Sequence, residues 1–338
     1  MTNIQPCSKR LFWIDTLRLG LALCIAILHF NWRYLPQAYL AVEVFFMLGG
    51  MFFFLHYDFA DADNSWQRVK NRLISVWKYF AVAFLVFILC HPRFPSGSHL
   101  GYVLLGWSYI GLGPMWGPGA YWFIGVYIYV CLLYVLFFRL FPANKIIPFV
   151  SLIVLGGIGL LYNNSPAHNL NESLPIVLNF SFGFWRGVVA FGLGILLGKA
   201  ALIIKTPFPP KRALFFLVFL FSAAAYIFLR TPPTAHYDYL WYIIAACLVL
   251  CCYCLPNPHY LKFSKEVLLL PLMVYLFHPV VIEVLTQYNF RIHLSVYLVL
   301  VLIVSWCVVK VWKVLDFLIE RIKFLIFSNI KIIKDKTE

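Results

Sequence analysis

The chain has 338 residues, of which 63 % are hydrophobic, 19 % aromatic and only 12 % charged, and its net charge is +14. A soluble protein of this length could not bury so much apolar surface, so the composition excludes that class and predicts an all-α polytopic membrane protein. Basic loops that face anionic lipid account for the positive charge, and we therefore expect no nucleic-acid partner.

The first apolar segment, LFWIDTLRLGLALCIAILHF, contains Asp15, Arg18 and His29. An ionisable group in hydrocarbon is costly and usually faces a protein interior or a water-filled cavity. Asp15 and Arg18 are three residues apart and share a helical face, to which His29 returns about 16 Å further along. The spacing indicates a functional stripe. The alternative is that Arg18 snorkels to the inner surface with Asp15 as its counter-ion, while His29 lies at the outer interface.

Ten apolar runs are long enough to span a bilayer. They fall at 11–31, 38–57, 73–91, 121–141, 146–162, 175–198, 213–230, 238–255, 267–285 and 294–315. A shorter run near 100–112 is followed by Pro114 and is typical of a re-entrant or interfacial piece. It lies within the long stretch from His91 to Gly119, which we expect to cover a cavity on the outer side. Residues 1–320 thus form a single predicted transmembrane domain, followed by a basic cytoplasmic tail at 321–338.

The distribution of basic residues predicts the topology. Ten spans with a cytoplasmic N-terminus place both termini inside the cell. The inner loops then hold Arg68, Lys70, Arg72, Arg139, Lys145, Lys199, Lys205, Lys211, Arg212, Lys262 and Lys265. The outer loops hold Arg33, Arg93, Arg230 and Arg291. This is a strong positive-inside bias. Cys251, Cys252, Cys254 and His259 lack a paired ligand motif elsewhere, so we expect no metal site.

Five segments of the chain resemble the integral membrane acyltransferase family 3. RLFWIDTLRLGLALCIAILHF resembles its first-helix signature, an Arg, then Asp-x-x-Arg, then a His eleven residues later. AVEVFFMLGGMF is similar to an apolar-Phe-Phe-x-x-Ser-Gly segment, and RVKNRLISVWKYF to the Arg-rich start of the third helix. Trp122 in AYWFIGVYIYV and the late VYLFHPVVIE resemble two further family elements. The resemblance covers nearly the whole chain.

Two positions depart from the family pattern. Gly49 stands where a serine is common in the Phe-Phe segment. Tyr127, Ile128 and Tyr129 occupy the region after Trp122, near which the family often has an acidic residue. Both departures could narrow or alter the acceptor, and neither removes the residues of the first segment.

The resemblance implies a bacterial inner-membrane enzyme that moves an acyl group, most often acetyl from acetyl-CoA, to a hydroxyl of a glycan. The acceptors would be O-antigen, exopolysaccharide or other lipid-linked saccharides. Some relatives carry a fused hydrolase-like domain, for which this sequence leaves no room, so we expect it to resemble the stand-alone members. Acetyl-CoA would be a substrate, and we expect no bound cofactor.

Acyl transfer to an alcohol needs a base, and histidine suits that role at neutral pH. His29 is therefore predicted to be either this base or a transient acyl carrier. Arg18 would hold a phosphate or polarise the thioester carbonyl, with Asp15 fixing the guanidinium. Glu43, on the second segment, is expected to orient His29. The alternative for Glu43 is a carboxylate at the outer end of its span.

Three arginines are predicted to bind the donor. Arg68 and Arg72 are four residues apart and point the same way, which suits the negative charges of CoA, although positive-inside anchoring explains them equally well. Arg186 lies well inside the sixth segment, and its alternative is a structural pair with a carbonyl or an acid such as Glu283.

Two residues are predicted to bind the acceptor. Trp122 is suited to stacking on a sugar face or to the interfacial aromatic belt. His278 would line the acceptor path or bond a neighbouring helix.

Two other classes of membrane protein remain to be weighed. A transporter or flippase of a lipid-linked saccharide also needs many spans and buried charges, but it would more often show two matching halves, and no repeat is visible. A glycosyltransferase with a polyprenyl donor would need an acidic outer loop, whereas the stretch from His91 to Gly119 contains no Asp or Glu. The transporter or flippase is therefore the alternative to an acyltransferase.

Overall fold

A computed structural model describes residues 12–91, 97–112, 119–165, 179–204, 209–230, 235–256 and 265–337. The helices of these ranges are α1 (Phe12–Phe30), α2 (Ala41–His56), α3 (Ala62–Cys90), α4 (Gly97–Leu104), α5 (Trp107–Ile110), α6 (Trp122–Leu140), α7 (Ala143–Asn164), α8 (Phe182–Ile203), α9 (Pro210–Leu229), α10 (Ala235–Cys254), α11 (Lys265–Gln287) and α12 (Leu294–Thr337). Eight of them are long and apolar enough to cross a membrane, and the described apolar parts of α9 and α10 are shorter. The predicted all-α polytopic membrane architecture is confirmed.

Three helix ends differ most from the sequence prediction. Helix α3 begins at Ala62 rather than at 73, because the Asp61 side chain accepts a hydrogen bond from the Asn64 backbone and caps a polar first turn. Helix α8 begins at Phe182 rather than at 175, and Ser181 caps it in the same way. Helix α12 continues to Thr337, so the predicted tail at 321–338 is helical as far as the structure describes it. Apolar runs mark the membrane-embedded part of a helix but not its polar extensions.

Helices α2 and α8 form the centre of the bundle and make the most extensive helix contact in the described part of the chain. Glycines let their backbones touch: a Cβ placed on Gly50 would meet the Phe191 carbonyl oxygen, and one on Gly194 the Met47 carbonyl oxygen. Helix α7 packs on α8, and α1 packs on α11, which also contacts α12 and α3. Functional side chains near the starts of α2 and α8 are thereby held close together.

The short helices α4 and α5 replace a further span between α3 and α6. Gly106 (φ +74°) and Gly111 (φ +93°) flank α5 in the left-handed conformation that favours glycine. The Ser181 backbone N–H donates to the Ile110 carbonyl oxygen at 2.9 Å, and the Ser181 hydroxyl donates to the Tyr109 carbonyl oxygen at 2.9 Å. These two hydrogen bonds hold α5 against the start of α8. The rest of the predicted lid, 92–96 and 113–118, lies outside the described residues.

Candidate active site

A cavity of about 890 Å³ lies at the C-terminal end of α1, and we call it the His29 cavity. Its walls come from α1, α2, α5, α6, α8 and α11 and from residues between these helices, and they include His29, Tyr109, Trp122, Arg186 and Tyr275. The His29 side chain is exposed within it. Cavities of 300–1,000 Å³ are typical of small-molecule sites, so the His29 cavity is large enough for one or two sugar units.

His278 packs behind His29. Their ring centroids are 5.2 Å apart and their planes differ by 28°. His278 is fully buried, its Nδ1 lies 3.2 Å from the Val274 carbonyl oxygen, and its Nε2 has no hydrogen-bond partner among the described residues. His278 was expected either to line the acceptor path or to bond a neighbouring helix, and the structure places it against α1 and not among the described lining residues of the cavity. The stack restricts how the His29 ring can turn.

Arg186 and Glu43 form a buried ion pair. Nε of Arg186 donates to Oε1 of Glu43 at 2.7 Å, and Nη2 donates to the same oxygen. Arg186 is 4 % exposed and Glu43 0 %. Glu43 therefore pairs with Arg186 and not with His29, which corrects the expected partner. Glu283, the acid considered for Arg186, instead lies 2.8 Å from Nδ1 of His91.

Arg186 does not share a described cavity with Arg68 and Arg72, the two other arginines predicted to bind the donor. It lines the His29 cavity, whereas Arg68 lines a separate cavity. The contact between α2 and α8 explains this, because it fixes the start of α8 beside the start of α2. The prediction from sequence could only state that the arginine was inside a span.

Aromatic rings surround the guanidinium of Arg186. Its central carbon lies 5.2 Å from the Trp122 ring centroid and 5.5 Å from that of Tyr39. The Tyr39 hydroxyl donates to Oδ2 of Asp238 on α10 at 2.6 Å. Sequence reasoning missed Tyr39 and Asp238. The sequence did contain one signal for this contact, because the carboxylate of Asp238 stands at the very start of the apolar run 238–255.

Two smaller cavities lie towards the N-terminal end of α1. The Arg18 cavity, of about 240 Å³, is lined by Arg18, Arg72, Tyr127 and Tyr275 among others. Nη1 of Arg18 lies 3.3 Å from Oδ1 of Asp15, so the predicted neighbours on α1 do form a pair. The pair is half-buried, because 32 % of the Arg18 side chain and 14 % of the Asp15 side chain are exposed.

The third cavity, of about 270 Å³, is the Arg68 cavity and is lined by His56, Arg68, Arg72, Tyr127 and Cys131 among others. Arg68 and Arg72 both contribute to it, as their spacing on α3 predicted. Arg72 and Tyr127 also line the Arg18 cavity, and Tyr275 lines both the Arg18 and the His29 cavities. The three cavities therefore adjoin one another in series, and no Asp or Glu is among their described lining residues.

The two departures from the family pattern meet in this series. A Cβ placed on Gly49 would lie 2.7 Å from Cε2 of Tyr127 and 3.3 Å from a ring carbon of Phe191. The absence of a side chain at Gly49 thus makes room for the Tyr127 ring, which forms part of the wall of two cavities. A serine at 49 would require that ring to move.

A family model described as an acyltransferase domain matches residues 11–312, from the start of α1 into α12. No curated protein and no solved structure matches the chain. The matched range contains all three cavities and every lining residue named above.

Proposed function

Because the chain belongs to acyltransferase family 3, we propose that this multi-pass membrane protein transfers an acetyl group from acetyl-CoA to a hydroxyl of a saccharide. One observation carries the proposal. His29 is exposed in a cavity of about 890 Å³, at one end of a series whose other end is lined by Arg68 and Arg72. A base at one end and cations at the other suit a donor and an acceptor that enter from opposite sides.

The donor would enter at the Arg68 cavity. Guanidinium groups bind phosphate oxygens bidentately, and Arg68 and Arg72 supply two of them at the basic end of the bundle. The positive-inside bias predicts that this end is cytoplasmic, where acetyl-CoA would be available. The pantetheine arm would then extend through the Arg18 cavity, past Tyr275, towards His29. Arg18, fixed by Asp15, would hold a phosphate or polarise the thioester carbonyl on this path.

The reaction would take place in the His29 cavity. His29 removes the proton from the acceptor hydroxyl, the alkoxide oxygen attacks the thioester carbonyl, and the tetrahedral intermediate collapses with loss of the CoA thiolate. The imidazolium then returns its proton to that thiolate, which restores neutral His29. His278 acts as a positioning residue, because its ring stacks on His29 and limits the orientation of the base.

Tyr109 offers a hydrogen-bond donor in the same cavity. Burial raises the pKa of Tyr109, so its hydroxyl remains protonated at neutral pH. This hydroxyl has no hydrogen-bond partner among the described residues. The hydroxyl oxygen is itself buried in the cavity wall, so it would reach the acceptor or the oxyanion of the thioester carbonyl only if that wall moves when substrate binds.

The acceptor would be a lipid-linked or cell-surface saccharide, such as O-antigen or exopolysaccharide, and the membrane the inner membrane of a bacterium. Trp32 and Trp122 line the His29 cavity, and indole rings stack well on sugar faces. By the positive-inside assignment this cavity lies towards the outer face. An acceptor presented there would meet the base without crossing the bilayer.

Mass spectrometry of surface polysaccharide tests this function. Cells that carry the intact gene, a deletion, and the deletion complemented in trans are compared. We expect an acetyl-sized mass increment with the intact and complemented gene and none in the deletion. A deletion that alters the amount of glycan without any change in acyl mass would contradict acyl transfer and support a transporter or flippase instead.

A further inference from the structure

Arg186 presents an unused donor to the His29 cavity. Both of its bonds to Glu43 converge on Oε1, and Nη2 additionally lies 3.5 Å from the Tyr39 carbonyl oxygen. Nη1 makes no hydrogen bond with any described residue, although the side chain is 4 % exposed and lines the cavity. A purely structural pair would be expected to engage the two oxygens of the carboxylate with two nitrogens. Here one edge of a buried guanidinium remains open to a ligand.

The surrounding wall is suited to an acidic sugar. None of the described residues that line the His29 cavity is Asp or Glu, so no carboxylate in the lining would repel an anion. The ring of Trp122 lies beside the guanidinium, and Asn31 supplies a side-chain amide for sugar hydroxyls. A cation, an aromatic face and a small polar group thus lie within one cavity.

The charge at this site fits a monoanion. Arg186 is the one Arg or Lys among the described lining residues, and Glu43 already offsets part of its charge. A phosphate dianion is better matched by several cations, as in the Arg68 and Arg18 cavities. A single open edge of a guanidinium is suited to one carboxylate.

We propose that the saccharide acceptor carries a carboxylate, as a uronic acid does, and that this carboxylate binds Nη1 of Arg186 while the sugar stacks on Trp122. The inference rests on the proposed function for the identity of the site as an acceptor site. It assigns Arg186 to the acceptor, whereas the sequence suggested the donor.

Binding without any acyl donor tests this assignment. The full chain is reconstituted in lipid nanodiscs, and dissociation constants are measured by ligand-observed NMR for methyl glucuronide, methyl galacturonide, the two neutral methyl glycosides and methyl glucoside 6-phosphate. We expect at least one uronide to bind about tenfold tighter than its neutral counterpart, since a charge-assisted hydrogen bond distinguishes them. Equal binding of acid and neutral sugar, tighter binding of the phosphate, or binding of none of them would overturn the proposal.

Arg186→Lys adds a second test. A lysine keeps the positive charge beside Glu43 but has a single nitrogen, which Glu43 occupies, so the preference for the uronide should fall to about threefold or less. Arg139→Lys is the matched control, because Arg139 pairs with Asp63 outside all three cavities and should retain the full preference. A preference that survives Arg186→Lys would contradict the assignment. If this variant fails to fold, the comparison of sugars on the native chain still tests whether the site prefers a carboxylate.

Transfer from labelled acetyl-CoA is assayed separately. Uronide binding that depends on Arg186, without acetyl transfer, would refute the proposed function and leave the carboxylate site intact. Acetyl transfer to neutral sugars with no advantage for acidic ones would support the proposed function and refute the carboxylate site at Arg186.

Discussion

His29 and Arg18 share one face of α1, yet they line different cavities. Their separation of about 16 Å follows from the helical rise and was predictable from the spacing alone. The residues that complete each site were not, because they come from distant parts of the chain. His278 reaches His29 from α11, and Arg72 shares a cavity with Arg18 from α3.

The glycine at position 49 gives a test at the residue scale. We expect Gly49→Ser to lower the free energy of unfolding by about 1–3 kcal/mol, because its Cβ would overlap the Tyr127 ring. Thermal unfolding in detergent measures this. Gly156→Ser is the control, since nothing lies within 4 Å of a Cβ there, and it should change stability by less than about 0.5 kcal/mol. Equal stability of both variants would show that Tyr127 does not depend on the space at Gly49.

The pairing of α2 with α8 sets the polar centre of the fold. Apolar length predicted that both helices exist. Their mutual contact could not be read from the sequence, because Glu43 and Arg186 are 143 residues apart and each has other possible partners. Helix ends were also missed at α3 and α12, where polar residues continue the helix beyond the apolar run. Helix existence is thus encoded locally, whereas ion-pair partners depend on tertiary packing.

The ion pair gives a test at the element scale. Glu43→Ala leaves a buried guanidinium without its carboxylate, so we expect a loss of about 3–5 kcal/mol in the free energy of unfolding. The double variant Glu43→Leu, Arg186→Met removes both charges and should recover most of that loss. Thermal unfolding in detergent again provides the measurement.

Asp63→Ala is the control for the buried pair. It removes the partner of Arg139 at an exposed site, where 95 % of the Asp63 side chain is accessible, and should have little effect. Were Glu43→Ala as stable as Asp63→Ala, the buried pair would not hold α2 against α8.

Across the whole molecule, the three cavities run from the basic end of the bundle to the end where α1 finishes. The positive-inside bias predicts the orientation of this series, with Arg68 towards the cytoplasm and His29 towards the outer face. The series explains how one chain could take its donor and its acceptor from different compartments. It also makes the topology a requirement of the proposed function.

Reporter fusions test the orientation. A fluorescent protein fused after residue 338 should fold and fluoresce if the C-terminus is cytoplasmic, and alkaline phosphatase at the same place should be inactive. Fusions within the connection between α1 and α2 should give the opposite result, because that connection would be outside. Active phosphatase at the C-terminus would reverse the topology and the donor path with it.

The central claim is that His29 carries the chemistry of acyl transfer. Purified native chain, His29→Ala and His293→Ala are given labelled acetyl-CoA and extracted lipid-linked saccharide, and label in the saccharide is counted. Because His29→Ala lacks the base, we expect it to transfer at least about 100-fold less label than the native chain. His293→Ala, at an exposed site before α12, should match the native chain. Native transfer by a folded His29→Ala protein would contradict the account.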